Sequence, residues 1–295
     1  MDSQTPANTG EHVEQALEDA LSRLLDANTP PTLARSMRDA VFPGGARIRP
    51  RLLWAVADAC SHDRPVAVGM AAAAVEFMHC ASLVQDDMSC FDAADTRRSS
   101  PTLHRVYGPG LALLASDALI VGSLELLAVA DPEDARLGVS LVCSLSRHSG
   151  SRGGITAGQA WESESEIDVS TYHAAKTGSL FEAAVELGAL CGGAEATTWS
   201  ATGRRIGAAY QVVDDLIDVL GADGRHGKPV GVDAALGRPN IVSDLGVDGA
   251  RARLVELIDA LLESLPECPA PNLLRARILE ETNRWLPPGV HRSAA

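Results

Sequence analysis

Two acidic clusters constrain this chain more than any other feature, because each ends a long, mostly apolar stretch of helical character. The first spans residues 86–92 (DDMSCFD), and the second spans residues 214–218 (DDLID). Carboxylates at the ends of two buried helices would repel each other unless cations lay between them. Oxygen ligands suit Mg²⁺, which usually shares its coordination shell with substrate phosphates. The pair of clusters therefore predicts a site for several magnesium ions and a substrate that carries a diphosphate.

Surface charge is the alternative explanation for either cluster taken alone, since acidic runs at helix ends are usually solvated. Here apolar residues precede both clusters, at 81–84 (ASLV) and at 210–213 (YQVV). An exposed acidic face would not be expected to interrupt buried helices. The two clusters together favour a functional site.

Composition predicts the fold class. Hydrophobic residues make up 46% of the 295 residues, but aromatic residues only 4%. A core of Ala, Leu and Val favours close-packed helices, because β-branched and aromatic residues are those that half-buried strands use best. A chain of this length buries enough apolar surface to be stable without disulfides. We expect an all-α chain of one large domain or two ordinary ones, with flexible ends at 1–10 and 288–295.

Turn signals and apolar periodicity predict long helices at residues 66–87, 111–130, 168–192 and 197–221. Between residues 221 and 248 the sequence becomes Gly-rich and loses the helical period. A loop of that length in a compact domain is usually functional. Helix resumes over residues 250–285.

Charge and targeting signals narrow the cellular setting. The net charge of −14 argues against binding to nucleic acid or to anionic membrane surfaces, which need a basic footprint. The six cysteines form no close C-x-x-C pair and are expected to be reduced thiols. Residues 1–10 are polar and lack the pattern of a secretory signal. The apolar stretch 111–130 contains Asp117 and Glu125, which favours a buried helix over a membrane span. We expect a soluble, cytoplasmic protein.

Short motifs along the chain resemble those of the trans-isoprenyl diphosphate synthases, in particular bacterial short-chain geranylgeranyl and farnesyl diphosphate synthases. Residues 85–92 followed by Arg97-Arg98 resemble that family's first aspartate-rich motif, and residues 214–218 resemble its second. Further matches lie at 44–50 (GGARIRP), 158–159 (GQ), 176–178 (KTG) and 227–233 (GKPVGVD). The motifs occur in the family's order, which makes the resemblance specific.

The resemblance implies one all-α domain over residues 1–295, a helical bundle with a central cavity, and a prenyltransferase reaction. An allylic diphosphate loses pyrophosphate to give a delocalised carbocation, the double bond of isopentenyl diphosphate attacks this cation, and a proton is then removed. The barrier is dominated by negative charge that develops on the leaving diphosphate. Metal ions and fixed cationic side chains around that group are therefore the natural catalysts.

The resemblance also implies roles for individual residues. Direct Mg²⁺ ligands, for three ions per site, would be Asp86, Asp92 and Asp214. The ions would be supported through waters or neighbouring contacts by Asp87, Asp215 and Asp218. The allylic diphosphate would be bound by Arg97, Lys176 and Lys228, and Arg238 stands where the family usually has a lysine. The allylic cation would be faced by Thr177 and Gln211.

The isopentenyl diphosphate pocket would be formed by Arg49, His79 and Arg98, with Arg47 nearby. A lone histidine on an apolar helix is by default a core residue, but His79 lies about two turns before Asp86 and projects from roughly the same face. Ala46 departs from the family, which usually has a lysine there. Losing one charge-assisted hydrogen bond typically costs about 1.5–3 kcal/mol, so weakened or altered activity is one expectation.

In the resembled family, product length follows from the size of the residues below the first acidic cluster. Ala81 and Ser82 are small, which leaves a tunnel open at that level, and Met78 or Phe77 would form a deeper floor. This pattern favours geranylgeranyl diphosphate (C20), with farnesyl diphosphate (C15) as the alternative.

Three other hypotheses compete with an active synthase. A terpene cyclase would show a different second metal motif and more aromatic residues. A non-catalytic partner subunit commonly loses aspartates, whereas both clusters are intact here, and Ala46 is the one strong hint in its favour. A purely structural bundle leaves the ordered motifs unexplained. Members of the resembled family are usually homodimers, and the helix at 111–130 is the expected contributor to such an interface.

Overall fold

Helices form almost all of the chain in a computed structural model that describes residues 9–42, 44–98, 100–166, 168–220 and 240–285. The helices are α1 (Thr9–Leu24), α2 (Pro31–Val41), α3 (Ile48–Ala59), α4 (Pro65–Asp86), α5 (Leu103–Tyr107), α6 (Pro109–Ala128), α7 (Ala135–Ser149), α8 (Ile155–Ala160), α9 (Val169–His173), α10 (Ser179–Cys191), α11 (Ala196–Leu220), α12 (Ile241–Glu263) and α13 (Pro271–Trp285). The described ranges also contain a 3₁₀ turn (Trp161–Ser163), a π turn (Ala174–Gly178) and one short antiparallel pair of strands, β1 (Thr96–Arg97) with β2 (Ser100–Pro101).

The helix that carries the first acidic cluster, α4, lies in the interior of the bundle. Its residues 71–74 are four consecutive alanines, each at most 1% exposed. These small side chains let α1, α3, α6 and α10 approach it from different sides. A helix that is apolar around its whole circumference is expected to be buried, and α4 follows this rule.

The core has two parts that meet at α3 and α10. One part is formed mainly by α1, α2, α4, α6 and α7, and the other by α11, α12 and α13. Leu52 and Leu53 are neighbours on α3, but Leu53 packs into the first part and Leu52 into the second, and both are fully buried. The two acidic helices, α4 and α11, therefore belong to different halves of one continuous core.

Most predicted helices are found, but helix resumes earlier in the chain than expected. Helices α4, α6 and α11 begin and end within two residues of their predicted bounds. The prediction that residues up to 248 are non-helical is wrong, because α12 begins at Ile241. The Asn240 side chain caps this helix by accepting a hydrogen bond from the Val242 backbone N–H at 2.8 Å. Gly246, at φ 70°, bends α12 internally.

The ends of the chain lie largely outside the described residues. Of the stretch 1–10 that was expected to be flexible, Thr9 and Gly10 belong to α1. Residues 288–295 are not among those described.

Two helices, α4 and α6, are long and apolar enough to cross a membrane by length and composition alone. The most apolar window of α4 is 72% buried within the protein, and that of α6 is 44% buried. Core helices of water-soluble proteins pass the same test, so this finding is weak support for a membrane span. The burial of α4 accounts for its hydrophobicity, while α6 keeps an exposed apolar side.

A buried carboxylate ties three helices together. Glu186 of α10 is 1% exposed and accepts hydrogen bonds from Ser144 of α7 (2.8 Å) and Ser200 of α11 (2.6 Å). Nε2 of His148 lies 3.1 Å from the same carboxylate. Burial alone would raise the pKa of Glu186, but the close approach of His148 and the hydrogen bonds from Ser200 and Ser144 outweigh it and lower the pKa to about 2.

We predict that Glu186→Gln removes part of the protein's acid sensitivity. Because the folded-state pKa lies below the ordinary value of 4.5, ionised Glu186 contributes stability above pH 4.5 that is lost as the pH falls toward about 2. This linkage corresponds to about 3 kcal/mol at most. Urea unfolding at a series of pH values should show that Glu186→Gln has a lower free energy of unfolding than the native protein at pH 7. The free energy of unfolding of the variant should also fall less steeply as the pH is lowered. The exposed Glu256→Gln is the control, and an unchanged pH dependence in Glu186→Gln would contradict this account.

Candidate active site

The first acidic cluster folds into a closed turn at the end of α4. The Asp92 backbone N–H donates to the carbonyl of Asp86 at 3.0 Å, and the Ala94 N–H donates to that of Asp87 at 3.1 Å. These bonds bring Asp92 back beside Asp86, and the inserted Ser89 and Cys90 are exposed. The insertion therefore leaves the two predicted metal ligands close together.

Two cations neutralise this turn. Arg97 donates to Asp87 at 2.7 Å and to Asp86 at 3.3 Å. Lys176 approaches Asp86 from the other side, with 3.5 Å between Nζ and the carboxylate. Asp87 is 5% exposed, and burial raises its pKa to about 6 although Arg97 opposes the rise. Arg97 and Lys176, both predicted to bind the allylic diphosphate, thus contact the first acidic cluster directly.

Glu162 is a site residue that sequence reasoning missed. It forms an ion pair with Lys176 and accepts hydrogen bonds from Tyr172 (2.6 Å) and Gln159 (3.1 Å). In the sequence it opens the acidic run 162–166, which is typical of a solvated surface. Its position three residues after the matched Gln159 was the available signal.

A π turn orients two of the predicted site residues. The turn Ala174–Gly178 carries Lys176 and Thr177, and π turns recur at functional sites. Two glycines allow the close contacts around it. A Cβ on Gly158 would lie 2.3 Å from the Lys176 backbone nitrogen, and one on Gly207 of α11 would lie 2.7 Å from Cα of Gly178. The absence of side chains at these positions lets α8 and α11 pack directly against the turn.

A chain of hydrogen bonds runs from this turn into the second acidic cluster. Thr177 donates to Oε1 of Gln211 at 2.9 Å, and Nε2 of Gln211 donates to Asp215 at 2.9 Å. The other oxygen of Asp215 accepts from the Ile241 backbone N–H at 2.8 Å. Asp215 is 2% exposed and fastens the start of α12 to α11. Its observed contacts fit a supporting role better than direct metal ligation.

Asp214 and Asp218 lie four residues apart on one side of α11, and Asp215 is displaced by about 100° around the helix. Both are partly exposed, unlike Asp215. Within the described ranges, no three carboxylate, histidine or cysteine side chains are grouped closely enough to hold one metal ion. The donors nevertheless fit Mg²⁺ in kind, because all are carboxylate oxygens. The two clusters are also linked by adjacent residues, since Lys176 contacts Asp86 and Thr177 contacts Gln211 of α11.

A second group of cations forms a separate pocket. Arg49 is 8% exposed, its Nε has no hydrogen-bond partner in the described structure, and its guanidinium lies 4.5 Å from the centre of the Phe181 ring. Burial lowers the pKa of Arg49 from its ordinary value, although the group stays charged. A buried charge without a counterion is costly, so this arrangement is typical of an anion-binding site.

His79 and Arg98 complete this pocket. The pKa of His79 is well below its ordinary value, first because of burial and then because of Arg49 and Arg98. The imidazole is therefore neutral and acts as a hydrogen-bonding group. Arg98 adopts a left-handed backbone conformation at φ 52° and donates to the Gly44 carbonyl. Gly45 beside it has φ 157°, a backbone conformation that L side chains rarely adopt, so the loop needs glycine here.

Arg47 is a correction to the predicted pocket. Its guanidinium forms ion pairs with Glu76 of α4 and Glu14 of α1, both at 2.8 Å, and donates to the Val41 carbonyl at 2.8 Å. The side chain of Glu76 is 2% exposed, so this pair is buried. These contacts occupy Arg47 in fastening α1, α3 and α4, and the structure does not support a substrate-binding role for it.

The four chain-length residues do not share one environment. Ser82 is partly exposed and lies on the face of α4 that carries His79 and Asp86. Ala81 and Phe77 are fully buried, and Met78 is 3% exposed. Ser116 of α6 donates to the Ala81 carbonyl at 3.2 Å, so Ala81 faces α6. Ser82 therefore has the most direct access to the site.

Two predicted substrate-binding residues, Lys228 and Arg238, lie outside the described residues.

Similarity to known proteins agrees with this geometry. Residues 30–267 match the family model described as polyprenyl synthetase. The chain belongs to the polyprenyl synthetase family. It is 48% identical over 257 residues to a geranylgeranyl diphosphate synthase of Rhodobacter capsulatus, covering 87% of this chain and 89% of that protein. It is 45% identical over 280 residues to a geranylgeranyl diphosphate synthase of Cereibacter sphaeroides, covering 95% and 97%.

A solved structure shares the fold of this polyprenyl synthetase. The geranyltransferase of Helicobacter pylori, solved with magnesium and isoprenyl diphosphate, is 28% identical, with a TM-score of 0.79 over 96% of this chain and 99% of that one. The matches confirm the predicted family, the all-α isoprenoid synthase fold and the enzyme class, a prenyltransferase.

We predict that Gly207→Ala impairs both stability and turnover. The added Cβ would push α11 away from the π turn and weaken the hydrogen bond between Thr177 and Gln211. Overpacking of this kind costs about 1–3 kcal/mol, and a small misplacement at a catalytic group lowers kcat by about 10-fold or more. Thermal unfolding and steady-state kinetics would measure both effects. Gly110→Ala on α6, where a Cβ meets nothing within 4 Å, is the matched control. Equal behaviour of the two variants would contradict the close-contact argument.

Proposed function

We propose that this polyprenyl synthetase condenses isopentenyl diphosphate with an allylic diphosphate and releases geranylgeranyl diphosphate. One observation carries the proposal: two separate groups of cations stand near the end of α4. Arg97 and Lys176 contact the aspartates, while Arg49 and Arg98 flank His79. Two diphosphate-bearing substrates need two such anion sites. The names of the relatives from Rhodobacter and Cereibacter support the C20 product.

The proposed roles follow from the contacts. Asp86, Asp92 and Asp214 would hold Mg²⁺, with help from Asp87 and Asp218. When bound, Mg²⁺ supplies positive charge that stabilises the diphosphate as it leaves. Three ions per site remain part of the proposal, and the magnesium in the Helicobacter relative supports the choice of metal.

The protein's own side chains would do the remaining work. Arg97 and Lys176 would share their positive charge between the aspartates and the allylic diphosphate. The Thr177 hydroxyl donates its proton to Gln211, so its oxygen lone pairs are directed elsewhere and can face the allylic cation. Neutral His79 would donate a hydrogen bond to isopentenyl diphosphate, and Arg49 would supply the counterion for it.

A cytoplasmic location completes the proposal. All six cysteines are free, and Cys60, Cys80 and Cys191 are buried. Free thiols in a core are typical of reducing compartments.

A non-catalytic partner subunit is the second candidate. Ala46 favours it, because this exposed residue stands beside the Arg98 loop where a lysine would add a cation. The intact aspartate turn and its pairing with Arg97 and Lys176 favour catalysis instead.

Turnover is predicted to depend on both aspartate clusters and on Mg²⁺. Purified protein would be incubated with radiolabelled isopentenyl diphosphate, Mg²⁺ and, separately, dimethylallyl, geranyl or farnesyl diphosphate. Asp86→Ala and Asp214→Ala should each lower kcat by about 10³-fold, because the leaving diphosphate loses its charge stabilisation. Chelation of Mg²⁺ should abolish product in the native protein.

Asp248→Ala, which removes a carboxylate that is 98% exposed on α12, is the control and should keep full activity. Full activity in either cluster variant would contradict the metal assignment. No product from the native protein with any starter would favour the partner-subunit hypothesis.

Product length is predicted to depend on Ser82. The native protein should release a C20 product, and Ser82→Phe should stop elongation at C15, since a phenyl ring would fill the partly exposed face of α4 below Asp86. Ser82→Ala is the control and should still give C20. Chromatographic sizing of the dephosphorylated products measures the outcome. A C20 product from Ser82→Phe would place the floor of the tunnel elsewhere.

A homodimer is also part of the proposal, because α6 and α7 expose an apolar patch. Its members are Leu113, Leu114, Val121 and Val139, which are between 43% and 64% exposed. Contiguous exposed apolar patches of this kind mark interaction sites. The predicted contribution of residues 111–130 to an interface falls on this surface.

We predict that the double variant Leu114→Asp with Val121→Asp sediments with half the mass of the native protein, since buried unpaired carboxylates disrupt an apolar interface. Analytical ultracentrifugation would measure it. Val66→Asp, at a valine that is 63% exposed on α4, is the control and should leave the mass unchanged. A native protein that is already monomeric would rule out the dimer.

A further inference from the structure

Three aromatic rings form a cluster directly behind Arg49. Phe181 of α10, whose ring lies under the Arg49 guanidinium, has its centre 5.1 Å from that of Tyr210 and 6.2 Å from that of Trp285. Tyr210 and Trp285 meet edge to face, with centres 5.6 Å apart. Only 11 of the 295 residues are Trp, Tyr or Phe, so these three rings are a large share of the aromatic side chains available to the core.

Trp285 comes from the far end of the sequence. It is the last residue of α13 and is 3% exposed. Helix α13 is fastened to α3 by a buried ion pair between Glu281 and Arg51 at 2.8 Å. Arg51 lies two residues after Arg49 on the same helix. Helix α13 is therefore connected to the Arg49 pocket in two ways, through its ion pair with α3 and through the aromatic rings.

The cluster has a direct effect on Arg49. Within the described residues, no ion pair orients the Arg49 guanidinium, and its Nε has no hydrogen-bond partner. The Phe181 face is the contact that sets the plane of the guanidinium, and a desolvated cation–π contact contributes about 2 kcal/mol. Phe181 is fully buried, and Tyr210 and Trp285 restrict its ring from two sides. Removing Trp285 would leave a cavity into which Phe181 can turn.

We propose that Trp285 is a positioning residue for the isopentenyl diphosphate site: by packing against Phe181 and Tyr210, it holds the Arg49 guanidinium in the orientation that binds the non-allylic diphosphate. Docking of α13 thereby sets the affinity for one of the two substrates. This inference rests on the proposed function.

The effect is selective for one substrate because of how the other groups are held. Arg97 and Lys176 contact the aspartates and none of the three rings. Gln211 follows Tyr210 in the chain, but hydrogen bonds to Thr177 and Asp215 fix its amide independently. The allylic site is therefore insulated from Trp285.

The test compares Trp285→Ala and Trp285→Phe with Leu274→Ala. Leu274 is fully buried on the same helix, about 16 Å further along by helical rise, so its truncation loosens α13 without touching the rings. We expect Trp285→Ala to raise the KM for isopentenyl diphosphate about 10-fold, with kcat and the allylic KM changed less than about twofold. Trp285→Phe should restore most of the affinity. Leu274→Ala should lower Tm to a similar degree and leave both KM values near native.

A double-mutant cycle tests the connection to Arg49. In an Arg49→Ala background, Trp285→Ala should add less than about twofold to the isopentenyl KM, because the group that it positions is gone. An equal rise in both KM values, the same KM change in Leu274→Ala, or a full 10-fold effect in the Arg49→Ala background would overturn the proposal.

Calorimetric titration with isopentenyl diphosphate alone separates this inference from the proposed function. A native protein that binds the ligand but forms no product contradicts the proposed function, and the Kd of Trp285→Ala, expected to rise about 10-fold, still tests the inference. Equal Kd values for the two proteins would overturn the inference while leaving the synthase reaction intact. A native protein that does not bind isopentenyl diphosphate overturns both.

Discussion

Repulsion among carboxylates is the constraint on which the rest of the site depends. Asp86, Asp87 and Asp92 are folded into one turn, and Asp214 and Asp218 lie on the helix that meets it through Lys176 and Thr177. The structure meets this cost with cations that contact the carboxylates directly. Because Arg97 and Lys176 are fixed by those contacts, they are already oriented when an anionic substrate arrives. The groups that stabilise the folded turn are thus the groups proposed to bind diphosphate.

Close backbone contacts hold Lys176 and Thr177 between the two acidic clusters. Gly158 and Gly207 let two helices touch the π turn, which carries Lys176 and Thr177 between the acidic clusters. A well-packed bundle leaves little freedom for adjustment, so the positions of these two side chains are set by helix spacing rather than by flexible loops. The geometry of the candidate site therefore depends on packing in the core of the fold.

The sequence predicted the parts that depend on local pattern. Apolar period and turn residues located α4, α6 and α11 closely. The motifs singled out Asp86, Lys176 and Gln211, whose contacts meet at the π turn. The contacts that each side chain makes could not be predicted from the sequence in the same way. Arg47 has the same charge and spacing as a ligand, and only the buried Glu76 of another helix shows that it is occupied elsewhere.

Other misses have more than one origin. Glu162 lay in an acidic run that is typical of a surface, and Trp285 is separated from Arg49 by more than 230 residues of sequence. The start of α12 was missed because its cap at Asn240 follows a Gly-rich segment without helical period. The contacts of Trp285 are non-local, and spacing along one chain carries no signal for them. The contacts of Glu162 with Gln159 and of Asn240 with Val242 are local, but the acidic and Gly-rich composition around them obscured the signal.

The bond between Asp215 and the Ile241 backbone links the second acidic cluster to the start of α12. It joins two points of the chain that are 26 residues apart in sequence. Asp215 also accepts a hydrogen bond from Gln211, so both of its carboxylate oxygens are engaged. A substitution that displaced the first turn of α12 would therefore reach the neighbouring Asp214 through a single buried carboxylate.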